Sequence, residues 1–497
     1  MNRQISKLAV SALILISALI AATTYWQTWA SASLAAKQDN AIQRVAQFRI
    51  KRGLIRAADG TVLATNVRKK VSGQTLYFRR YPTRGLFAQL IGYSTQVRSR
   101  AGLERSENDY LTASNANLGT ILDKTFDKLK GVTITGNDLI LSVRPHLQRL
   151  AMDQLAGKCG AAVVMNPRSG KVYALASQPT YDPNLVEKHF NLIKAPGAPC
   201  RPAAPLLNRA TAGLLTPGSS FKVVTAAAAL DSNRFTPEST FEDPGYCVEY
   251  GKRVSNAGNP DQNGPEAFGT VTLAQGLQHS INSVFCNVGK SLGAGLILDY
   301  SKRFGFYKDP PLDTPDDEKA PSGLYDHGKL YFPRHPETQV DPGRLAFGQE
   351  RLSVTPLQMA MVAATVADGG ELMEPQVLDR VVNHSGHTIV TVHPKKLRRV
   401  MSSRTAEELT SMMVAAVNDG TGGAAQIPGI QVAGKTGTAE TGAQGVNTTW
   451  FICFAPADHP RVAVAVVLEN QHGFAGTVAA PIAKVLMQAV LGGGSNS

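Results

Sequence analysis

The sequence predicts an exported α+β protein, held at a membrane by one N-terminal helix. Three observations carry that prediction. Residues 8–26 are apolar or uncharged and follow Arg3 and Lys7. Strand-like runs stand at both ends of the region beyond residue 155, and a long helix-rich stretch, roughly 210–430, lies between them. Strands at both sequence ends with helices inserted imply one domain whose sheet is closed by its termini. A chain of 497 residues, 43% hydrophobic and 18% charged, has the balance of a globular protein with a sizeable core. Disorder and a multi-span membrane protein both fall outside that balance.

Taken in order, residues 1–7 read as a cytoplasmic tail and 8–29 as the anchor. Nineteen apolar residues are about the length that spans a bilayer, and Tyr25, Trp26 and Trp29 sit where an aromatic belt belongs. The positive end stays inside, so everything beyond residue 30 is outside. Ala30-Ser31-Ala32 would also serve as a signal-peptidase site, and both readings export the bulk of the chain.

Residues 37–150 read as a small module of short strands and turns. Between Lys37 and Tyr110 stand fifteen Lys/Arg against five acids, which holds most of the net charge of +13. Following directly on an apolar segment, such a block suits lipid headgroups or anionic wall polymers, or a solvated face, better than nucleic acid. Near its end, residues 139–142 look like a strand entering a helix.

Residues 155–497 form the main domain. Two strand-like runs, 161–164 and 171–176, flank Asn166-Pro167-Arg168-Ser169-Gly170, a hairpin signal. Further strands are expected at 432–440, 449–455 and 462–468, and helices at 223–230, 273–279, 357–367, 406–417 and 480–491. Five cysteines are too few for a disulfide scaffold. Cys247 and Cys286 flank a Gly/Asn/Pro-rich excursion, 254–269, which a bridge would pin; the sequence leaves the pairing open. Cys453, in an apolar strand pattern, reads as a buried free thiol. No Cys/His cluster has metal-ligand spacing, so neither a metal nor another cofactor is expected.

Three short signals carry chemistry. Ser219-Ser220-Phe221-Lys222 follows Pro217-Gly218, which places Ser219 near a helix N-terminus with Lys222 on the same face. A serine hydroxyl needs a base, and lysine serves if burial or a second cation lowers its pKa. Alone the signal is weak, since S-x-x-K arises about twice by chance in a chain this long. Ser280-Ile281-Asn282 lies between two helical stretches; in an extended turn Ser280 and Asn282 face one way while Ile281 packs away. Lys435-Thr436-Gly437-Thr438 lies in a strand, where Gly437 implies close approach to the backbone, as when a peptide pairs with the edge. Lys435 and Thr436 suit a carboxylate, and the Thr438 N–H could join that of Ser219 as an oxyanion hole.

In this order, on helix, inter-helix turn and strand, the three match the S-x-x-K, S-x-N and K-T-G set of penicillin-binding proteins and β-lactamases. Beyond the motifs, the chain resembles class B penicillin-binding proteins over nearly everything after residue 50. Arg52-Gly53-Leu54-Ile55, Asp59-Gly60, Tyr81-Pro82 and Gly102-Leu103-Glu104 look like that class's N-terminal module. Tyr181-Asp182-Pro183-Asn184, Gly348-Gln349 and Val354 to Ala360 look like its transpeptidase domain. Arg56-Ala57-Ala58 and the excursion between Cys247 and Cys286 depart from the pattern.

The resemblance implies an antiparallel sheet with a helical subdomain, preceded by a membrane helix and a strand-rich pedestal. It implies a serine D,D-transpeptidase of the bacterial cell membrane, single-pass, acting outside the cytoplasm on peptidoglycan stem peptides and lipid-linked nascent glycan. Ser219 would be the nucleophile, Lys222 its base, Ser280 the proton carrier to the leaving D-alanine and Asn282 the holder of the acyl amide. Lys435 and Thr436 would bind a carboxylate, with Gly437 and Thr438 completing the strand. β-Lactams would acylate the same serine. A polytopic SEDS-type lipid II polymerase and other divisome or elongasome proteins are the implied partners. A β-lactamase would need an E-x-x-L-N context that Glu318 lacks, whereas a D,D-carboxypeptidase shares every site residue.

Overall fold

A five-stranded antiparallel sheet forms the centre of the computed structural model, which describes residues 2–25, 47–115, 133–256, 258–259, 264–441 and 445–492. Its order is Ala433–Glu440, Asn447–Ala455, Val462–Gln471, Cys159–Met165, Val172–Gln178, so its strands come from both ends of the region beyond residue 155. Period-two alternation sorts the side chains between two cores. Val163, Ala465 and Ile452 stand in register on one face, packed with the Pro356–Ala367 helix; Val164, Val464 and Cys453 stand on the other, packed with Ala480–Gly492. Both faces are covered, which is why the strands read as continuous apolar runs. Each buried Val or Ile there contributes about 1.5–3 kcal/mol.

The expected hairpin and helices are present with boundaries moved by a few residues. The Lys222–Asp231 helix is buried on every side from Lys222 to Leu230, in keeping with its run of alanines. It packs against Asn282–Leu292, Ala294–Arg303 and Ser403–Asn418, which form the helical part.

The N-terminal module is a six-stranded sheet: Thr388–Thr391, Leu378–Val382, Asp138–Leu141, Ile55–Arg56, Val62–Val71, Gln74–Arg80. Its first two strands arrive from far downstream, which the sequence reading did not anticipate. Beneath it Glu104 is buried between Arg52 (2.9 Å) and Arg79 (2.6 Å), and Arg52 also donates to Asn108 Oδ1 at 2.8 Å. Burial pushes the Glu104 carboxyl up, but the two guanidiniums more than offset this and hold it below its ordinary value.

Two disulfides are present, not one: Cys247–Cys286, and Cys159–Cys200, which no sequence signal marked. Cys453 is a buried free thiol. The N-terminal segment is helical over Asn2–Tyr25, with Leu13, Ile14, Leu15 and Leu19 bare. Trp26, Trp29 and Ala30 to Ala32 lie outside the described residues. Among the described residues one helical stretch, Ala475–Gly492, is long and apolar enough to cross a membrane, but Ile482, Leu486 and Met487 bury it against the central sheet; the apolar stretch of the N-terminal helix, Val10–Tyr25, is shorter.

Candidate active site

The three motifs meet at the edge of the central sheet. Residues Gly218–Phe221 form a 3₁₀ turn that leads into the Lys222–Asp231 helix. Gly218 has a φ of +53°, and a Cβ there would lie 2.6 Å from the Thr438 carbonyl oxygen. On the facing strand, a Cβ on Gly437 would lie 2.5 Å from the Pro217 carbonyl and 2.8 Å from the Ser220 N. The two glycines therefore let the nucleophile turn lie directly on the Lys435 strand. In the structure the close approach that Gly437 permits is that of the Ser219 turn. Trp450 Nε1 pins the same turn from behind, donating to the Thr216 carbonyl at 2.9 Å.

Ser280 and Asn282 converge as expected, though not through an extended turn. The Leu273–Gln278 helix starts on a Thr272–Gln275 capping box, and Ser280 then takes a left-handed φ of +62°. Ile281 packs into the core, and Asn282 is the first residue of the next helix. The sharp left-handed residue, rather than strand alternation, brings both side chains to one side.

Lys222 and Lys435 are fully buried, and among the described residues neither pairs with a carboxylate. Lys222 Nζ donates to the Ser280 carbonyl at 2.6 Å and to Asn282 Oδ1 at 2.8 Å, with Ser280 Oγ at 3.5 Å and the Phe285 ring 5.3 Å away. Lys435 Nζ donates to Ser280 Oγ at 2.8 Å and to the Thr436 carbonyl at 3.0 Å. The Ser280 hydroxyl thus stands between two amines. Burial, and then the Lys435 cation, push Lys222 well below the ordinary lysine value. Burial alone pushes Lys435 down to about 7.

A neutral amine has two N–H groups and one lone pair. With both N–H groups of Lys222 engaged, the lone pair is what it has left to offer a proton. Ser219 is half-buried at the turn, and among the described residues its hydroxyl makes no hydrogen bond. Catalytic bonds of this kind tighten when substrate is in place. The arrangement suits acyl transfer: a free hydroxyl, a lysine that can take its proton, a hydroxyl relay, and a second lysine.

One residue the sequence reading passed over is Thr421, whose hydroxyl lies 2.6 Å from that of Thr436. Its setting, Asp419-Gly420-Thr421-Gly422-Gly423 between a helix and the Lys435 strand, is a signal that could have found it. Among the described residues Glu318 makes no hydrogen bond or ion pair to the motif residues; its carboxylate accepts the Gly102 N–H at 2.9 Å, against the N-terminal module.

Fold and site together define a serine acyltransferase of the Ser–Lys type. The chain matches the family model of the penicillin binding protein transpeptidase domain over residues 160–488 and that of the penicillin binding protein A dimerisation domain over residues 52–139. It is 32% identical to a peptidoglycan D,D-transpeptidase of Mycolicibacterium smegmatis, covering 100% of both chains. It is 28% identical to a peptidoglycan D,D-transpeptidase of Acinetobacter baumannii, over 83% of this chain and 66% of that one. Among solved structures, the ceftriaxone acyl-enzyme of penicillin-binding protein A from M. tuberculosis superposes with a TM-score of 0.78 at 30% identity, covering 90% of this chain and 100% of that one. A D,D-transpeptidase domain from Eggerthella lenta gives 0.73 at 32%, covering 89% and 99%. The chain belongs to the penicillin-binding protein transpeptidase family, as a class B member.

Proposed function

We propose that this chain is a peptidoglycan D,D-transpeptidase that works through an acyl-enzyme on Ser219. The observation that carries the reading is the pair of buried lysines, 222 and 435, which meet no carboxylate among the described residues and are joined through the Ser280 hydroxyl beside the Ser219 turn. Ser219 Oγ attacks the carbonyl between the last two D-alanines of a stem peptide and its proton passes to Lys222. The C–N bond breaks, and the departing amine takes a proton through Ser280. An amine of a neighbouring stem then attacks the ester, the peptide cross-link forms, and Ser219 regains its proton. Asn282 holds the acyl amide, and Lys435 and Thr436 receive the terminal carboxylate.

The oxyanion falls to the N–H groups of Ser219 and Thr438. Thr438 turns its carbonyl toward Gly218, and the N–H and C=O of one strand residue leave by the same edge. Gly437 gives that edge its close fit. β-Lactams acylate the same hydroxyl.

The chain divides, in this reading, into a cytoplasmic tail (1–7), a membrane anchor (8–29), a pedestal (37–150) and a transpeptidase domain (155–497). The bare apolar helix at the N-terminus supports a single-pass anchor in the bacterial cell membrane with the rest outside. The basic pedestal would face a polytopic SEDS-type lipid II polymerase, with other divisome or elongasome proteins nearby, and nascent lipid-linked glycan would be the polymer served.

Intact mass after incubation with a fluorescent penicillin tests the reading. One long-lived adduct is expected on the wild type and none on Ser219→Ala. An adduct that survives the substitution, or none on the wild type, would contradict it. Incubation with stem peptide and an amine acceptor separates transpeptidation from D,D-carboxypeptidation: cross-linked product is expected in excess of hydrolysed stem.

A further inference from the structure

The Asn282–Leu292 helix begins inside the site, yet its N-cap, Ile281, has no side-chain acceptor to offer. The first N–H groups of a helix need partners from elsewhere. Here both come from outside the motif: Asn256 Oδ1 accepts from the Asn282 N and the Ser283 N, each at 3.0 Å. Asn256 is buried, and its Nδ2 is fixed in turn by the Asp243 carboxylate (3.0 and 2.9 Å) and the Glu266 carbonyl (2.8 Å). Asp243 is also buried and has no ion-pair partner among the described residues. It accepts further from the Gly245 N (2.8 Å), the Phe268 N (3.0 Å) and Ser283 Oγ (2.5 Å).

A second contact completes the frame. Asn282 Nδ2 donates to the Ser255 carbonyl at 2.9 Å, which leaves Oδ1 aimed at Lys222 Nζ, 2.8 Å away. Residues 255 and 256 therefore fix both the backbone and the side-chain amide of Asn282. The hairpin that delivers them, Tyr246–Glu249 with Lys252–Ser255, is tied to the same helix by the Cys247–Cys286 bridge and by Lys290, which reaches Glu249 at 2.7 Å and the Val248 carbonyl at 2.9 Å. The Gly/Asn/Pro-rich excursion is thus more than a surface insertion.

We propose that Asn256, locked by Asp243, is a positioning residue for acyl transfer: it holds Asn282 in the orientation that meets Lys222 while touching neither substrate nor reacting atoms. The inference rests on the transpeptidase reading. A buried, fully bonded amide that merely stabilised the loop would leave the chemistry of whatever protein stays folded unchanged. A positioning residue alters the rate and pH dependence of the folded enzyme.

The test uses the full chain in detergent, with acylation by a fluorescent penicillin followed in time between pH 5 and 10. Wild type, Asn256→Ala, Asn256→Asp and the exchange Asn256→Asp with Asp243→Asn are compared, each with its thermal transition. Misplacing a group in a site costs up to about a hundredfold in rate, so Asn256→Ala is expected to lose at least about tenfold in the acylation step, with little change in prior binding. Its acid limb is expected at lower pH, because Lys222 loses an acceptor that favours its charged form. Asn256→Asp sets two carboxylates in contact and is expected to be slower still. The exchange restores a carboxylate–amide pair between the two positions, but it leaves the Glu266 carbonyl facing a carboxylate and one donor to residue 243 facing an amide nitrogen, so it is expected to recover only part of the rate lost in Asn256→Asp.

The proposal is overturned if folded Asn256→Ala acylates within about twofold of wild type with an unmoved limb. Absence of an adduct on the wild type would instead remove the transpeptidase reading and this inference with it, which the wild-type arm tells apart.

Discussion

Two amines share one hydroxyl in a site where, among the described residues, neither meets a carboxylate. Charging both would place two cations in a poorly solvating pocket, so proton loss is favoured near neutrality. The sign for stability follows. Lys435 has a folded value of about 7 against an ordinary 10.5, so between those values the unfolded chain binds more protons. Its unfavourable contribution is therefore full below about 7 and fades as pH rises toward 10.5. An arginine cannot be deprotonated, so Lys222→Arg is expected to lower the acylation rate by about 10²–10⁴ while keeping a cation in place. Rapid-quench acylation measures it, and near-wild-type rates would exclude Lys222 as the base. The motif residues were legible because each type is chemically restrictive and their order is fixed. Asn256 was not, because Asn is an ordinary loop residue whose role exists only once a separation of 26 residues is folded back; Thr421, 15 residues before its partner Thr436, carried only its Gly-rich setting as a mark.

Elements were legible where periodicity is strong and poorly so where it is not. The central strands and the helices at 222–231 and 356–367 follow from apolar pattern alone. The Leu378–Val382 and Thr388–Thr391 strands are short; the first pairs with Asp138–Leu141, some 240 residues upstream, and the second joins the sheet only through the first, so no local pattern assigns them to the N-terminal sheet. The Ser280 turn was read as extended because spacing reports which residues converge and not the φ that brings them together. Gly437 was recognised as a close approach, and the structure shows the Ser219 turn as the neighbour it admits. Gly437→Ala is accordingly expected to displace the Ser219 turn even without substrate. Overpacking of this kind costs about 1–3 kcal/mol, so both the thermal transition and the acylation rate should fall. A variant that keeps its stability and loses only peptide binding would return Gly437 to the substrate-approach role.

At the scale of the molecule, the charge distribution read from sequence needs one amendment. Arg79 belongs to the buried Glu104 cluster and is not available to a partner, whereas Arg80 and Arg84 are exposed. If the pedestal contacts a lipid II polymerase as proposed, charge reversal at Arg80 and Arg84 together is expected to abolish co-purification of that polymerase with the chain while penicillin labelling persists. Undiminished co-purification would place the contact elsewhere. Reversal at Arg79 would instead leave Glu104 facing a second buried acid and unfold the module. The closure of the sheet by strands from both ends of the main domain was legible because both sets are apolar and separated by helices. The two strands that return to the N-terminal sheet, and the Cys159–Cys200 bridge, bind distant parts of the chain in ways that composition does not mark.

The most direct measurement of the central claim is the pH dependence of the Ser219 acylation rate, in wild type and in Lys435→Met. Rate should rise through an acid limb centred well below the ordinary lysine value of 10.5. The limb should move up in Lys435→Met, because a cation that drives the proton off Lys222 is gone. A wild-type limb centred near 10.5, or one at a carboxylate's value that ignores the loss of Lys435, would contradict it.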